Sequence, residues 1–141
     1  MESITQYHEV IAVFIARVFL GFLFFFQGYD AVFNVGIKNV IDTYEDSFFQ
    51  KGIPKFLTVF GSYFTSYVEL IGGAILIIGL FVYSALYLLG VNLLLVNIAF
   101  GIANPMWDMK FVSPRIALLL FLLITPATWH MWTIDNLIFK P

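Results

Sequence analysis

From residue 56 to residue 107 the chain carries one charged side chain, Glu69. Wound as a single α-helix, such a run would be ~75 Å long, more than twice the ~30 Å hydrocarbon core of a bilayer. The chain must therefore cross, turn and cross back. The turn is predicted around residues 79–84, with a second transmembrane helix over about 56–80 and a third over about 83–104, the latter stopped by Asn104-Pro105. Glu69 lies well inside the second helix, and an ionisable side chain inside a membrane is costly enough to ask for a partner or a function.

Composition agrees. The chain is 61% hydrophobic and 11% charged, against about 45–50% apolar and about 25% charged in soluble domains. One all-α membrane domain over residues 1–141 is expected, because helices satisfy every backbone group inside lipid and these runs are too continuous for barrel strands. A formal net charge of −2 gives no basic field for nucleic acid. With no cysteine there are no disulfides, thiolate metal sites or dithiol chemistry within the chain. No metal cluster and no covalent cofactor motif stands out, so turnover by this chain alone is not expected and an electron-transfer role would need an external cofactor or partner.

Ahead of the long run, residues 10–30 suit a first transmembrane helix, expected to be retained rather than removed as a signal peptide. Arg17, Gly21, Phe24 and Gly28 share one face of it, and Phe19, Phe22, Leu23 and Phe26 cover the rest, so the small and charged stripe should face other helices. Arg17 can also snorkel to the nearer interface. Gln27 is the other polar residue of this helix. Residues 37–50 alternate differently: Ile37, Val40, Ile41, Tyr44 and Phe48 recur at helical spacing opposite Lys38, Asn39, Asp42, Glu45 and Asp46. This predicts an amphipathic surface helix between helices one and two, either a lid over the bundle or a connector on lipid.

In the third helix Gly90, Asn97, Gly101 and Asn104 fall on one face and should meet protein, with Asn97 making an interhelical hydrogen bond. Asn92 lies off that face and receives no role. Trp107, Asp108 and Lys110 read as an interfacial loop, and Ser113-Pro114 as an N-cap and first helical residue. The fourth helix is expected over about 114–132, kinked at Pro126, with Trp129, His130 and Trp132 at its far interface. His130 reads as an interfacial residue rather than a ligand or proton relay. The fold expected is a four-transmembrane-helix bundle with one surface helix. Lysines 38, 51, 55 and 110 then share the side opposite the termini, which the positive-inside rule alone would make cytoplasmic.

Several segments, in order along the chain, carry a family likeness. The second helix has Glu69, then Gly72-Gly73, then an apolar run closing with Gly79-Leu80; Ala16-Arg17-Val18-Phe19-Leu20-Gly21 precedes it, Lys51-Gly52-Ile53-Pro54 leads into it, and Thr133-Ile134-Asp135 closes the chain. Together these resemble the DoxX family. Two features depart from its pattern. Gly28 is followed by Tyr29, Asp30 and Ala31 where the family often has Gly-x-x-Lys, and Thr128-Trp129-His130-Met131-Trp132 replaces glycines before the closing motif. The resemblance implies a four-helix, multi-pass protein of the bacterial inner membrane, often with cytoplasmic termini, opposite to the lysine count. It also implies association with redox complexes, since one relative forms the membrane subunit of thiosulfate:quinone oxidoreductase.

By depth, both Arg17 and Arg115 can reach Glu69, and the sequence leaves the choice open. Two functions follow. In one, Glu69 with Arg17 or Arg115, Gln27, Asn97 and Asn104 lines a slot for a quinone- or lipid-like ligand, in a redox-associated accessory subunit. In the other, Glu69 holds helices together, Gly21, Gly28, Gly72, Gly73, Gly90 and Gly101 set close packing, and the chain is a structural subunit docking a larger membrane or exported partner, or a second copy of itself. A small transporter lacks the expected internal repeat.

Overall fold

The structure, a computed structural model, describes residues 4, 6–103 and 105–139, of which 105–111 are described by their backbone alone. Asn104 lies outside the described residues. The described residues are helical without strands. Helix α1 spans His8–Tyr29 and runs on as a π-helical segment, Asp30–Val35; α2 spans Ile37–Gln50, α3 Lys55–Ile78, α4 Val82–Ala103, α5 Pro105–Ile124 and α6 Ile134–Ile138. A 3₁₀ turn, Ala127–Trp129, separates the last two. Among the described residues three helical stretches are long and apolar enough to cross a membrane: His8–Val35, Lys55–Ile78 and Val82–Ala103.

Helix α1 packs most extensively on α3, α3 on α4, α4 on α5, and α5 returns to α1, closing a cycle around Leu20, Phe24, Leu76, Leu86, Leu89 and Leu122. Glycine explains the closeness of α1 to α3. A Cβ on Gly28 would stand 2.3 Å from the Leu70 nitrogen, and one on Gly73 would stand 2.4 Å from the Phe25 nitrogen. The two backbones therefore touch directly, as small residues permit in membranes. Gly72 turns the other way and abuts Leu89 of α4, 3.0 Å from its would-be Cβ. Helix α2 buries Ile37, Ile41 and Phe48, stacking Tyr44 and Phe48 edge-on against Phe100 of α4, while Lys55 pairs with Glu45 at 2.7 Å.

The turn between α3 and α4 occupies residues 79–81. Gly79 is left-handed (φ 75°), and the Leu80 N–H reaches back to the Ile75 carbonyl at 3.1 Å, the six-to-one bond that ends a helix on glycine. Phe81 also has positive φ (46°), uncommon for a bulky residue.

The stretch after α4 differs from expectation. Helix α5 starts at Pro105, so Trp107, Asp108 and Lys110 lie in helix rather than loop, and Pro114 is interior to it rather than first. The physical reason is that Pro105 already occupies the first helical position, where a missing N–H costs nothing; an interior proline is tolerated in a membrane helix when neighbours re-satisfy the freed carbonyl. Pro126 does not kink the helix, which has ended at Ile124; it begins the 3₁₀ turn instead.

Candidate functional site

Two polar centres occupy the bundle. At mid-height, Glu69 of α3 is 2% exposed and Asn92 of α4 is wholly buried. The Asn92 Nδ2 donates to Glu69 Oε1 at 3.3 Å, and the Gln27 Nε2 of α1 donates to the same oxygen at 3.4 Å. One carboxylate thus links three helices. The Gly28 contact with the backbone beside Glu69 brings Gln27 within reach, and Gly72 sets α4 close enough for Asn92. Arg115 of α5 stands near enough for its charge to act on Glu69, with its guanidinium 5.8 Å above the Phe24 ring. Asn92 Oδ1 is buried without a hydrogen-bond partner.

The second centre lies at the α3–α4 turn. Arg17, also 2% exposed, donates through Nη1 to the carbonyls of Leu76 and Ile77 and through Nη2 to that of Trp132 at 2.7 Å. The last carbonyls of a helix lack intrahelical donors and carry partial negative charge, so a buried cation there is held by the end of α3 itself. On the far side of the turn the Asp135 carboxylate accepts from the Phe81 N–H at 2.6 Å and the Val82 N–H at 2.9 Å, capping the start of α4 from a distant part of the chain. The Asp135 N–H donates to the Gly79 carbonyl, and the Arg17 and Asp135 charges attract. A Cβ at Gly79 would lie 2.7 Å from Arg17 Nη1. Arg17 therefore ends among main-chain carbonyls of Leu76, Ile77 and Trp132, and its hydrogen bonds do not go to Glu69.

His130 extends this centre to the end of α5. Its Nε2 meets the Thr125 hydroxyl at 2.9 Å and the Leu122 carbonyl at 3.2 Å, its ring lies 5.4 Å from that of Tyr83, and Nδ1 is buried without a partner. Its carbonyl accepts from the Asn136 amide at 2.6 Å and the Thr133 hydroxyl at 3.3 Å, which fixes the segment bearing Asp135. Burial holds the imidazole below the ordinary histidine range, the Leu122 carbonyl opposes this, and the Arg17 charge adds to it.

A DoxX family model matches residues 12–102, nearly two-thirds of the chain. The chain belongs to the DoxX family. The matched stretch of this DoxX protein includes Arg17, Gln27, Glu69, Gly72, Gly73, Gly79 and Asn92, and ends before Arg115, His130 and Asp135. Among curated proteins and among solved structures, none matches the chain.

Not every expected residue converges in this DoxX chain. Asn97 is exposed at a groove between α4 and α5, and Gly101, also exposed, has no atom of the described residues within 4 Å of where a Cβ would stand. Gly90 makes only ordinary contact, 3.6 Å from Leu119. The amide of α4 that reaches Glu69 is Asn92, off the glycine stripe. Asn92 carried a readable signal: it follows Ala85 and Leu89 at spacings of seven and three, and those residues share its buried face. Among the described residues no cluster of three His, Cys, Asp or Glu side chains is placed to hold a metal.

Proposed function

We propose that this DoxX-family membrane protein is a non-catalytic subunit of the bacterial inner membrane that docks a larger membrane or exported partner. In this reading the chain crosses four times, α5 being the last crossing, and α2 lies on the membrane surface. The observation that carries it is the use made of Glu69: a carboxylate 2% exposed, bonded by amides of two neighbouring helices, serves the joining of α1, α3 and α4. A bundle that turns the charges of Arg17 and Glu69 inward offers its outer faces for assembly. A second reading, a quinone- or lipid-like ligand at Glu69 in a redox-associated subunit, draws on Asn92 Oδ1, a buried acceptor beside the carboxylate that a ligand hydroxyl would satisfy.

One experiment separates them. Full-length protein and Glu69→Gln are purified from native membranes in mild detergent, and their melting temperatures are followed as a short-chain quinone or phospholipid is added. The docking reading expects the same stoichiometric partner with both proteins and no quinone-dependent rise in either. A protein that purifies alone, and whose quinone-dependent stabilisation disappears in Glu69→Gln, overturns docking in favour of the ligand.

A further inference from the structure

The outer face of α4 carries a primary amide at membrane depth that its own chain does not engage. Asn97 is exposed, lies ~9 Å along the helix from its end at Ala103, and forms no hydrogen bond among the described residues. The other amides of the candidate spans donate within the chain, the nitrogens of Gln27 and Asn92 to Glu69 and that of Asn34 to Asp30 at 2.9 Å. Around Asn97 the same face presents Leu94 and Ile98, 60% and 59% exposed, and Gly101 one turn further on. A shallow groove lined by Leu93, Leu94, Asn97, Val112, Ser113 and Ile116 runs beside them.

An amide in hydrocarbon is costly unless it is hydrogen-bonded, and its oxygen accepts while its nitrogen donates. Two such amides facing each other satisfy one another. We infer that this face of α4 binds a second copy of the chain, Asn97 pairing with Asn97 across a two-fold axis. The membrane argues for a copy rather than another protein. Two copies inserted with one topology are related by an axis along the membrane normal, so each residue meets its own counterpart at its own depth. A lone amide then finds a complementary amide at the matching level without further design. Gly101 lets the two α4 backbones approach one turn away, and the groove accepts the Leu94 side chain of the opposite copy. This inference is independent of the docking of another protein, because it concerns the purified chain alone.

Because the chain lacks cysteine, single cysteines report the interface directly. Leu94→Cys, Gly101→Cys and a control, Phe22→Cys on the exposed face of α1, are reconstituted separately in phosphatidylcholine vesicles and oxidised. Disulfide-linked dimers are expected from the two α4 positions and not from Phe22→Cys. In a lipid-dilution series read by single-molecule photobleaching, Asn97→Leu should dissociate about 3- to 20-fold more readily than the parent, and Asn97→Gln should recover part of the difference. Monomers at every dilution, cross-linking as efficient at Phe22→Cys as on α4, or an Asn97→Leu dimer as tight as the parent would each overturn the inference. If Asn97→Leu fails to fold, the cysteine series, which retains Asn97, decides.

Discussion

Arg17 and Glu69 are buried to the same degree in one bundle, yet they are satisfied in different ways. Arg17 donates to main-chain carbonyls, two of them at the end of α3. Glu69 accepts from side-chain amides at the middle of that helix. The difference follows from where a helix has free backbone groups. Its last carbonyls have no intrahelical donors, whereas at mid-helix every N–H and C=O is already engaged. A cation at the end can be bound by the fold itself; an acid in the middle must recruit side chains from its neighbours. The first arrangement cannot be replaced piecemeal, because removing the guanidinium leaves carbonyls that no substitution can delete. Arg17→Met is therefore expected to cost on the order of 3–5 kcal/mol, the range for stripping one partner from a buried charged group. Glu69→Gln keeps an acceptor of the same shape and should cost about 1 kcal/mol. Reversible unfolding in mixed micelles with a graded fraction of dodecyl sulfate measures both. Equal costs would break the comparison.

A second substitution sharpens it by acting on the distance between α1 and α3 rather than on a polar group. Gly28→Ala places a methyl 2.3 Å from the Leu70 nitrogen, and backbone cannot swing aside as a side chain can. About 1–3 kcal/mol of overpacking is expected, together with loss of the Gln27–Glu69 bond as α1 moves off. Gly101→Ala, on a face open within one copy of the chain, should stay within about 0.5 kcal/mol in the same assay at a detergent excess that keeps copies apart. A Gly28→Ala protein as stable as Gly101→Ala would mean that close backbone contact does not position the Glu69 centre.

The same contrast accounts for what could be read from the residues. The all-helical membrane class was legible because apolar runs in lipid admit few solutions. The α1 stripe was legible too: Arg17, Gly21, Phe24 and Gly28 recur at helical spacing and are among the residues α1 buries. The partners of Arg17 were not, because main-chain carbonyls are present at every position and a sequence does not mark which will be orphaned beside it. Pairing logic looks for an opposite charge, and so left Arg17 and Arg115 as open alternatives for Glu69. Asp135 was visible only as part of a family motif; its cap on α4 joins residues 53 and 54 positions apart, which local spacing does not encode. Asn97 and Asn92, five residues apart on one helix, illustrate the remaining ambiguity. Both are amides in an apolar run, and only the packing of α3 and α5 decides which one faces the interior.

The Arg17 centre also carries a pH dependence, through His130 beyond the spans. Arg17 from α1, Tyr83 from α4 and Asp135 at the start of α6 belong to the elements around this ring, and burial together with the Arg17 charge disfavours the imidazolium. The folded protein therefore binds that proton less readily than the unfolded chain, whose histidine titrates at about 6.5. Stability rises with pH wherever the unfolded state holds more protons. The contribution of neutral His130 is thus complete above about pH 6.5 and is lost as pH falls below it toward the lower folded value. Melting temperature measured from pH 7.5 down to 5 should fall in this window, and the His130→Gln protein, which keeps a hydrogen-bonding side chain without titrating, should show a flatter profile there. The effect should be the smallest of the three, since one partly opposed shift is involved rather than a row of orphaned carbonyls. Because the His130 carbonyl anchors Asn136 and Thr133, protonation should also loosen the Asp135 cap, seen as faster amide exchange at Phe81 and Val82 on acidification. Unchanged exchange at those two amides, alongside a falling melting temperature, would place the acid sensitivity elsewhere and leave the turn centre rigid across the whole range.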